Sequence, residues 1–188
     1  LGDGSERTIL AGHTRPVWSV AIMADDTHAV SASGDGTVRL WDLDAKTERA
    51  TLTGHDGEVF AVAITPDGDR AVSGGGDGTI RQWSMPAGQP DVVLTGHTGW
   101  VRAVRLAYDK LLAVSGGEDA SVRVWDLATG TERATLTGHH REVFAVAITP
   151  DGRRVISGGG DETVRVWDLR EIGNTGGPPH RRSGPRHR

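Results

Sequence analysis

Residues 54–83 read GHDGEVFAVAITPDGDRAVSGGGDGTIRQW, and residues 138–167 read GHHREVFAVAITPDGRRVISGGGDETVRVW. Working outward from these two stretches, the same outline appears twice more, beginning at Gly12 and at Gly96. Each Gly-His pair therefore follows the previous one after 42 residues. A fixed period of this length is typical of proteins built from stacked, similar units. The sequence predicts four such units.

Four residue types keep the same positions in every unit. A Ser follows the His after 18 residues, an Asp follows the Ser after 4, and a Trp follows the Asp after 6. Two independent markers would already make coincidence untenable, and here four recur together. The sets are His13, Ser31, Asp35 and Trp41; His55, Ser73, Asp77 and Trp83; His97, Ser115, Asp119 and Trp125; and His139, Ser157, Asp161 and Trp167.

The local pattern within a unit predicts strands. Residues 59–64 form a short, apolar stretch that is rich in β-branched and aromatic side chains and has no helical period. Thr65-Pro66-Asp67-Gly68 and the Gly-rich residues 74–78 are turn sequences. In the first unit we expect strands at residues 17–22, 29–33, 37–43 and 50–53. Both faces of such a sheet are apolar, so each sheet must be covered by a neighbour.

The order Gly-His, Ser, Asp-Gly and Trp-Asp at this period resembles the WD-repeat β-propellers, in particular bacterial arrays of closely similar repeats. The resemblance covers residues 5–170 and implies an all-β fold of four four-stranded antiparallel blades. It also implies a partial propeller or half of an eight-blade ring. The departures from the pattern are Ser84 after Trp83 and the first turns of units one and three, at residues 24–27 and 107–110. The expected units are residues 5–46, 47–88, 89–130 and 131–170.

Composition and charge fit a soluble globular array with a separate tail. The chain has 188 residues, no Cys and a net charge of −4. Residues 171–188 carry +3, which leaves −7 on residues 1–170. An acidic body disfavours nucleic-acid binding by the folded part. We expect residues 171–188 to be a disordered basic Gly/Pro/Arg tail. With neither a membrane-spanning segment nor a signal peptide, a cytoplasmic location is expected, and the missing initial Met suggests a fragment of a larger protein.

A Ser, a His and an Asp at fixed spacing could suggest a hydrolase. The same set occurs four times, however, and a reactive centre is needed once. The resemblance implies instead that Trp, Ser, His and Asp form a buried hydrogen-bonded tetrad in each blade. No other motif predicts chemistry, because the Gly-rich turns lack the Lys of a phosphate-binding loop and the remaining His residues lack metal-ligand spacing. We expect no catalytic residue, no metal and no cofactor.

The resemblance also implies where a partner would bind. In such propellers the residues three and five positions after the Gly-His histidine, and the residue before the turn Asp, face the rim of the central channel. Aromatic residues and Arg contribute most often to binding energy. Phe60 and Phe144 could instead pack between blades, and the three Glu residues could be ordinary solvated charges. The predicted partner-binding residues are Trp18, Glu58, Phe60, Trp100, Arg102, Glu118, Glu142 and Phe144.

The predicted function is a non-catalytic protein-interaction scaffold, serving as the sensing or assembly module of a larger signalling protein. The acidic rim favours a basic protein or peptide as partner. The alternative is a structural oligomerisation module that closes a ring with a second copy. Residues 7–10 resemble the fourth strand of a unit and could pair with the last blade, within one chain or between two. Of the possible arrangements, a truncated larger propeller is preferred, followed by an eight-blade dimer.

Overall fold

The computed structural model describes residues 6–85, 89–107 and 111–170. This part of the chain is all-β and contains no helix, and hence no helix that could cross a membrane. The strands form four antiparallel sheets in chain order, which we call blades 1 to 4. The expected tail at 171–188 and the turn at 108–110 lie outside the described residues.

Each blade is a meander in which every strand pairs with the next one along the chain. In blade 1 the strands are β1 (Val17–Ile22), β2 (His28–Ser33), β3 (Val38–Asp42) and β4 (Thr47–Leu52); in blade 2, β5 (Val59–Ile64), β6 (Arg70–Gly75), β7 (Ile80–Ser84) and β8 (Gln89–Leu94); in blade 3, β9 (Val101–Ala107), β10 (Leu112–Gly117), β11 (Ser121–Asp126) and β12 (Thr131–Thr137); in blade 4, β13 (Val143–Ile148), β14 (Arg154–Gly159) and β15 (Val164–Asp168).

The described residues include three of the four strands expected in blade 4. Among the described residues its order is β13-β14-β15, with three strands. The outer strand of blades 1 to 3 follows the Trp-bearing strand, and the corresponding segment of blade 4 begins near residue 173, outside the described part. Residues 7–10, which could have supplied this strand, lie outside every strand. Among the described residues, the four sheets do not close into a ring.

The core lies in the three seams between successive blades. The first strands of neighbouring blades are in contact, β1 with β5, β5 with β9 and β9 with β13. Val30 and Leu40 of blade 1 share one apolar cluster with Val62 of blade 2. Two further clusters join blade 2 to blade 3 and blade 3 to blade 4. Stacking thus covers the apolar faces that a single sheet leaves open.

The first turn of blade 1 folds without the Pro-Asp-Gly sequence. In blade 2 the left-handed turn position is held by Gly68, with φ of 75°. Blade 1 has Asp26 there, with φ of 57°. Asn and Asp tolerate this conformation better than most residues. Asp25 completes the turn because its carboxylate accepts the backbone N–H groups of Thr27 and His28.

Candidate functional site

The Trp, Ser, His and Asp of each unit come together inside their blade. In blade 2, Trp83 lies on β7, Ser73 on β6, and His55 in the loop before β5. The Trp83 indole N–H donates to Ser73 Oγ at 2.9 Å, and Ser73 Oγ lies 2.7 Å from His55 Nε2. His55 Nδ1 lies 3.0 Å from an Asp77 carboxylate oxygen. One tetrad thus connects the incoming loop, β6, β7 and the turn between them.

The other three tetrads repeat this geometry closely. The distance from His Nε2 to Ser Oγ is 2.7 Å in blades 1 and 3 and 2.8 Å in blade 4. The distance from Trp Nε1 to Ser Oγ is 2.7 Å in blade 1 and 2.8 Å in blades 3 and 4. The imidazole Nδ1 lies 2.8 to 2.9 Å from the nearest oxygen of Asp35, Asp119 and Asp161.

The direction of the hydrogen bonds follows from the donors and acceptors present. An ionised carboxylate only accepts, so His Nδ1 must donate and carry the proton. His Nε2 then accepts from the Ser hydroxyl, whose oxygen accepts from the Trp indole. Every polar group of the tetrad has a partner, which is the condition for stable burial of a polar network.

In blades 2 and 3 the pKa shifts of the tetrad residues fit neutral imidazoles and ionised carboxylates. Burial lowers the pKa of His55 and His97 below the ordinary value, and the nearby Asp77 and Asp119 only partly offset this. Burial alone would raise the pKa of Asp119. The hydrogen bonds that this carboxylate accepts from Ser121, His97 and the backbone of Thr98 outweigh burial and hold its pKa below the usual range.

Each tetrad has a fifth member, a Thr or Ser hydroxyl, that the sequence reasoning missed. Thr37 Oγ1 donates to Asp35 at 2.6 Å, and Ser121 Oγ donates to Asp119 at 2.7 Å. Thr79 and Thr163 make the same bond in blades 2 and 4. The sequence signal was available, since a hydroxyl residue stands two positions after every tetrad Asp. It was less visible because the residue type changes from Thr to Ser in blade 3.

The geometry gives the tetrad serines no nucleophilic role. All four are buried, and each Oγ is enclosed between an imidazole and an indole. A serine nucleophile must instead reach a substrate beside oxyanion-stabilising donors. Within residues 6–85, 89–107 and 111–170, no group of three or more His, Asp or Glu side chains is arranged to hold a metal ion.

A repeated backbone hydrogen bond assembles the predicted rim positions in every blade. The residue before the turn Asp donates its N–H to the carbonyl three residues after the Gly-His histidine. The distances are 2.9 Å from Gly34 to Pro16, 2.7 Å from Gly76 to Glu58, 2.9 Å from Glu118 to Trp100 and 2.8 Å from Gly160 to Glu142. The residues five positions after the histidine, Trp18, Phe60, Arg102 and Phe144, lie at or near the start of the first strands.

Blades 1 to 3 join their rim side chains into a continuous ladder. The rings of Trp18 and Phe60 lie 6.2 Å apart, and Phe60 stacks on Trp100 at 5.1 Å. The Arg102 guanidinium lies 4.6 Å from the Phe60 ring centre and 4.5 Å from that of Trp100. Such contacts combine aromatic packing with cation–π attraction. We call Trp18, Phe60, Trp100 and Arg102 the rim ladder.

Two of the rim carboxylates hold the ladder in place. Glu58 accepts the indole N–H of Trp18 at 3.1 Å, across the seam between blades 1 and 2. Glu118 accepts a hydrogen bond from Arg102 at 2.6 Å. Phe60 thus has the inter-blade packing role that the sequence analysis left open for it. Trp18 and Trp100 nevertheless remain about half exposed.

Glu142 and Phe144 lie on blade 4, beyond the ladder. Phe144 is half exposed, and Glu142 is partly exposed beside it. At the seam between blades 2 and 3, Trp100 and Glu118 also line a polar cleft of about 400 Å³. The structure therefore brings six of the eight predicted partner residues into one connected surface on blades 1 to 3. The two residues of blade 4 stand apart from it.

Four consecutive antiparallel sheets, each with one Trp-Ser-His-Asp tetrad, define a repeat protein of the β-propeller class. The sequence model described as "WD domain, G-beta repeat" matches residues 4–42, 46–84, 88–126 and 130–168. The chain belongs to this WD40 family. Repeats of the family generally mediate protein–protein interaction or scaffolding, and the family is typically non-catalytic.

One curated relative matches over the length of about one repeat. It is WD repeat-containing protein 97 from Homo sapiens, 44% identical over 43 residues. This match covers 23% of the present chain and 3% of the human protein. The similarity is therefore that of a single blade.

Proposed function

We propose that this chain is a non-catalytic scaffold that binds another protein or peptide through the rim ladder. The observation that carries the proposal is the half-exposed pair Trp18 and Trp100, held rigidly by Phe60, Arg102 and two carboxylates. Exposed aromatic side chains are expensive to leave in water, and ordered ones lose little entropy on binding. Trp and Arg are also enriched among residues that dominate binding energy.

A basic segment is the partner that the charges favour. Residues 1–170 carry a net charge of −7, and Glu58, Glu118 and Glu142 lie at the rim. Complementary charge increases the rate and specificity of association. Aromatic faces beside carboxylates also suit Arg and Lys side chains, which bind through both their charge and their apolar stems.

The wider biological role proposed for the scaffold rests on its sequence resemblance to WD-repeat proteins. We propose that it acts as the sensing or assembly module of a larger signalling protein in the cytoplasm. The chain spans 3% of the human relative, so nothing about the activity of that protein is carried over.

The proposal is tested by selecting peptides from a random phage-displayed library on the 188-residue chain. Selected peptides should be enriched in Arg and Lys. Trp100→Ala should weaken peptide binding at least tenfold, as measured by calorimetry, with little change in the melting temperature. Val93→Ala, at an exposed residue on the outer strand of blade 2, is the matched control and should bind normally. Equal binding by all variants would refute the rim as the binding surface.

A second candidate function is self-association, in which two copies complete a ring. It is favoured by apolar residues at the two ends of the array, Val20 and Val164, which are 72% and 73% exposed. Exposed apolar patches of this kind mark interaction surfaces. In this function the partner is another copy of the chain, and the rim ladder need not bind anything.

A further inference from the structure

Two equivalent clefts lie at the rim, one at the seam between blades 1 and 2 and one at the seam between blades 2 and 3. The first, which we call cleft 1, has a volume of about 450 Å³ and lies between the turn at residues 34–37 and the loop at residues 53–58. Cleft 2, of about 400 Å³, lies between the turn at residues 76–78 and the loop at residues 97–100. These turns and loops occupy the same positions of the 42-residue repeat. The two clefts are therefore one feature of the repeat, present twice.

Glycine residues line the walls of both clefts. In cleft 1, a Cβ atom at Gly36 would lie 3.1 Å from the carbonyl oxygen of Gly57. In cleft 2, a Cβ atom at Gly78 would lie 3.3 Å from the carbonyl oxygen of Gly99. Larger residues at these positions would narrow the clefts. The sequence thus leaves room for a side chain from a partner.

Each cleft is lined by one tetrad Asp and one rim Glu, which are Asp35 and Glu58 in cleft 1 and Asp77 and Glu118 in cleft 2. Burial alone would raise the pKa of Asp35 and Asp77, but the hydrogen bonds that they accept hold both pKa values below the usual range. The Glu58 and Glu118 side chains are 39% and 30% exposed. A cleft lined by one sign of charge concentrates ions of the opposite sign. Both clefts therefore favour a cationic group.

A half-exposed Trp adjoins each cleft. Trp100 lines cleft 2. The Trp18 indole nitrogen lies 3.2 Å from the position of a Cβ atom at Gly34, which lines cleft 1. An indole can cover the apolar stem of a Lys or Arg side chain and attract its charge. A cationic side chain of a partner therefore finds both a carboxylate and an aromatic ring in each cleft.

Two arginines of the chain already lie beside these carboxylates. Arg15 lies 4.0 Å from Glu58, and its side chain is 66% exposed. An exposed ion pair of this kind is weak, so a cation from a partner can displace Arg15. Arg102 donates to Glu118 Oε1 at 2.6 Å. Because a carboxylate has two acceptor oxygens, Glu118 can accept a second cation beside Arg102.

The seam between blades 3 and 4 has different residues at the same positions. Ala120 and Arg141 replace the two glycines that each of the other seams has. Arg141 is exposed and adds a positive charge there. This seam is therefore less suited to a cation than clefts 1 and 2.

We infer that clefts 1 and 2 bind two cationic side chains of one extended partner segment, one side chain in each cleft. This inference deepens the proposed function of the rim and rests on it. Neighbouring sheets pack about 10 Å apart, which sets the approximate separation of equivalent clefts. A polyproline II segment advances about 9 Å in three residues and returns to the same side. The partner segment therefore carries Arg or Lys at two positions that are three residues apart.

Synthetic peptides of fixed geometry test the inference. The first contains Arg-Pro-Pro-Arg between Gly and Ser residues and carries a terminal fluorophore. The second contains Arg-Pro-Arg-Pro, with the same composition and charge but another spacing, and the third contains Arg-Pro-Pro-Ser. Fluorescence anisotropy should show about tenfold tighter binding of the first peptide than of the other two, whereas cations that bind one at a time would gain only about twofold. Equal binding of the first two peptides would overturn the inference.

Removal of the competing cation from cleft 1 should strengthen binding. Arg15→Gln should tighten binding of the Arg-Pro-Pro-Arg peptide about threefold, because Glu58 then has no arginine of the chain beside it. Arg141→Gln is the matched control, since it removes the same charge at the same repeat position but outside both clefts. It should change binding by less than about twofold. An equal gain in both variants would reflect overall charge alone and would contradict the inference.

Removal of a cleft carboxylate should affect the two-arginine peptide selectively. Glu58→Gln keeps an acceptor for the Trp18 indole and should weaken the Arg-Pro-Pro-Arg peptide about fivefold. The Arg-Pro-Pro-Ser peptide should weaken by less than about twofold, because cleft 2 is unchanged. Glu162→Gln, in an exposed turn of blade 4, removes the same charge and should leave both peptides unaffected. Equal weakening of both peptides by Glu58→Gln would contradict the use of two clefts.

The Trp100→Ala variant separates this inference from the function on which it rests. Equal binding of the first two peptides, with loss of binding in Trp100→Ala, would overturn the two-cleft arrangement and leave the rim as the binding surface. Binding of every peptide that is unchanged by Trp100→Ala would overturn both. Failure of all three peptides to bind the chain would also count against both.

Discussion

Strands β5 and β13 have the same six residues, Val-Phe-Ala-Val-Ala-Ile, yet their surroundings differ. Ala61 is buried in the seam between blades 2 and 3, whereas the equivalent Ala145 is exposed. Phe60 stacks on Trp100 of the next blade, whereas Phe144 is half exposed. Burial in this array is thus set by the neighbouring blade and not by the sequence of the strand itself.

The tetrads of the same two blades do not differ in this way. His55 lies 2.7 Å from Ser73 in blade 2, and His139 lies 2.8 Å from Ser157 in blade 4. All members of a tetrad belong to one repeat or to the loop that leads into it. Interactions within a blade therefore persist at the end of the array, while interactions between blades require a neighbour.

The largest expected effect comes from placing a charge at equivalent positions in blades 2 and 4. Val72→Asp should reduce the free energy of unfolding by about 3–5 kcal/mol or prevent folding, because it buries an unpaired carboxylate. Ile156→Asp, at the half-exposed equivalent, should cost less than about 1 kcal/mol in the monomeric chain. Urea unfolding of dilute protein measures both values. Equal losses would contradict the role of the neighbouring blade.

A tetrad substitution should have a smaller but clear effect. His97→Ala leaves the buried Ser115 without its acceptor and Asp119 without its imidazole donor, and should cost about 1–3 kcal/mol. His140→Ala, at an exposed histidine outside the tetrads, is the matched control and should change stability by less than about 0.5 kcal/mol. Thermal denaturation measures both. An unchanged melting temperature for His97→Ala would rule out a structural tetrad in blade 3.

Acid should weaken the same network. The pKa values of His55 and His97 lie below their ordinary value of 6.5, so the unfolded chain binds more protons as the pH falls through that value. The contribution of these two neutral imidazoles to the free energy of unfolding is therefore fully present above pH 6.5 and declines below it. The lowered pKa values of Asp77 and Asp119 act in the same direction at lower pH, since their contribution is lost as these carboxylates become protonated.

The melting temperature should accordingly be lower at about pH 5 than at about pH 7.5. The His97→Gln variant lacks one of these two imidazoles and should show a shallower decline between pH 7.5 and pH 5. A melting temperature that rises with acidification would contradict the neutral state of the tetrad histidines.

The smallest predicted effect concerns the turn residue after the tetrad Asp. Gly78 holds this position in blade 2 with φ of 73°, and Ala120 holds it in blade 3 with φ of 62°. A left-handed conformation strains alanine but not glycine. Ala120→Gly should therefore raise the free energy of unfolding by about 0.5 kcal/mol, and Gly78→Ala should lower it. Urea unfolding measures both free energies. Changes of the same sign in the two variants would contradict strain at Ala120.

The period and the tetrad positions could be read from sequence because they depend on contacts within one repeat. Four copies with identical offsets allow each tetrad member to be recognised without knowledge of its neighbours. The fourth strand expected in blade 4 would begin near residue 173, outside the described residues, and residues 7–10 lie outside every strand. The strand β4 also begins at Thr47, three residues before the predicted start.

The rim ladder illustrates what sequence could not supply. Trp18, Phe60, Trp100 and Arg102 were named as candidates, but their stacking depends on the spacing between blades and on side-chain rotamers. The bond from Trp18 to Glu58 joins residues 40 positions apart across a seam. Repeat positions alone do not reveal that the Arg102 guanidinium contacts the rings of both Phe60 and Trp100, whereas Phe144 is half exposed.

The central claim is that four of the six tryptophans are internal structural members and that Trp18 and Trp100 form an exposed rim. Hydrogen exchange of the indole N–H groups, followed by NMR, tests it most directly. Slow exchange is expected for Trp41, Trp83, Trp125 and Trp167, which donate to buried serines. Faster exchange is expected for the half-exposed Trp18 and Trp100, although the Trp18 indole donates to the exposed Glu58 carboxylate. Fast exchange at any tetrad indole, or equal protection of all six, would contradict it.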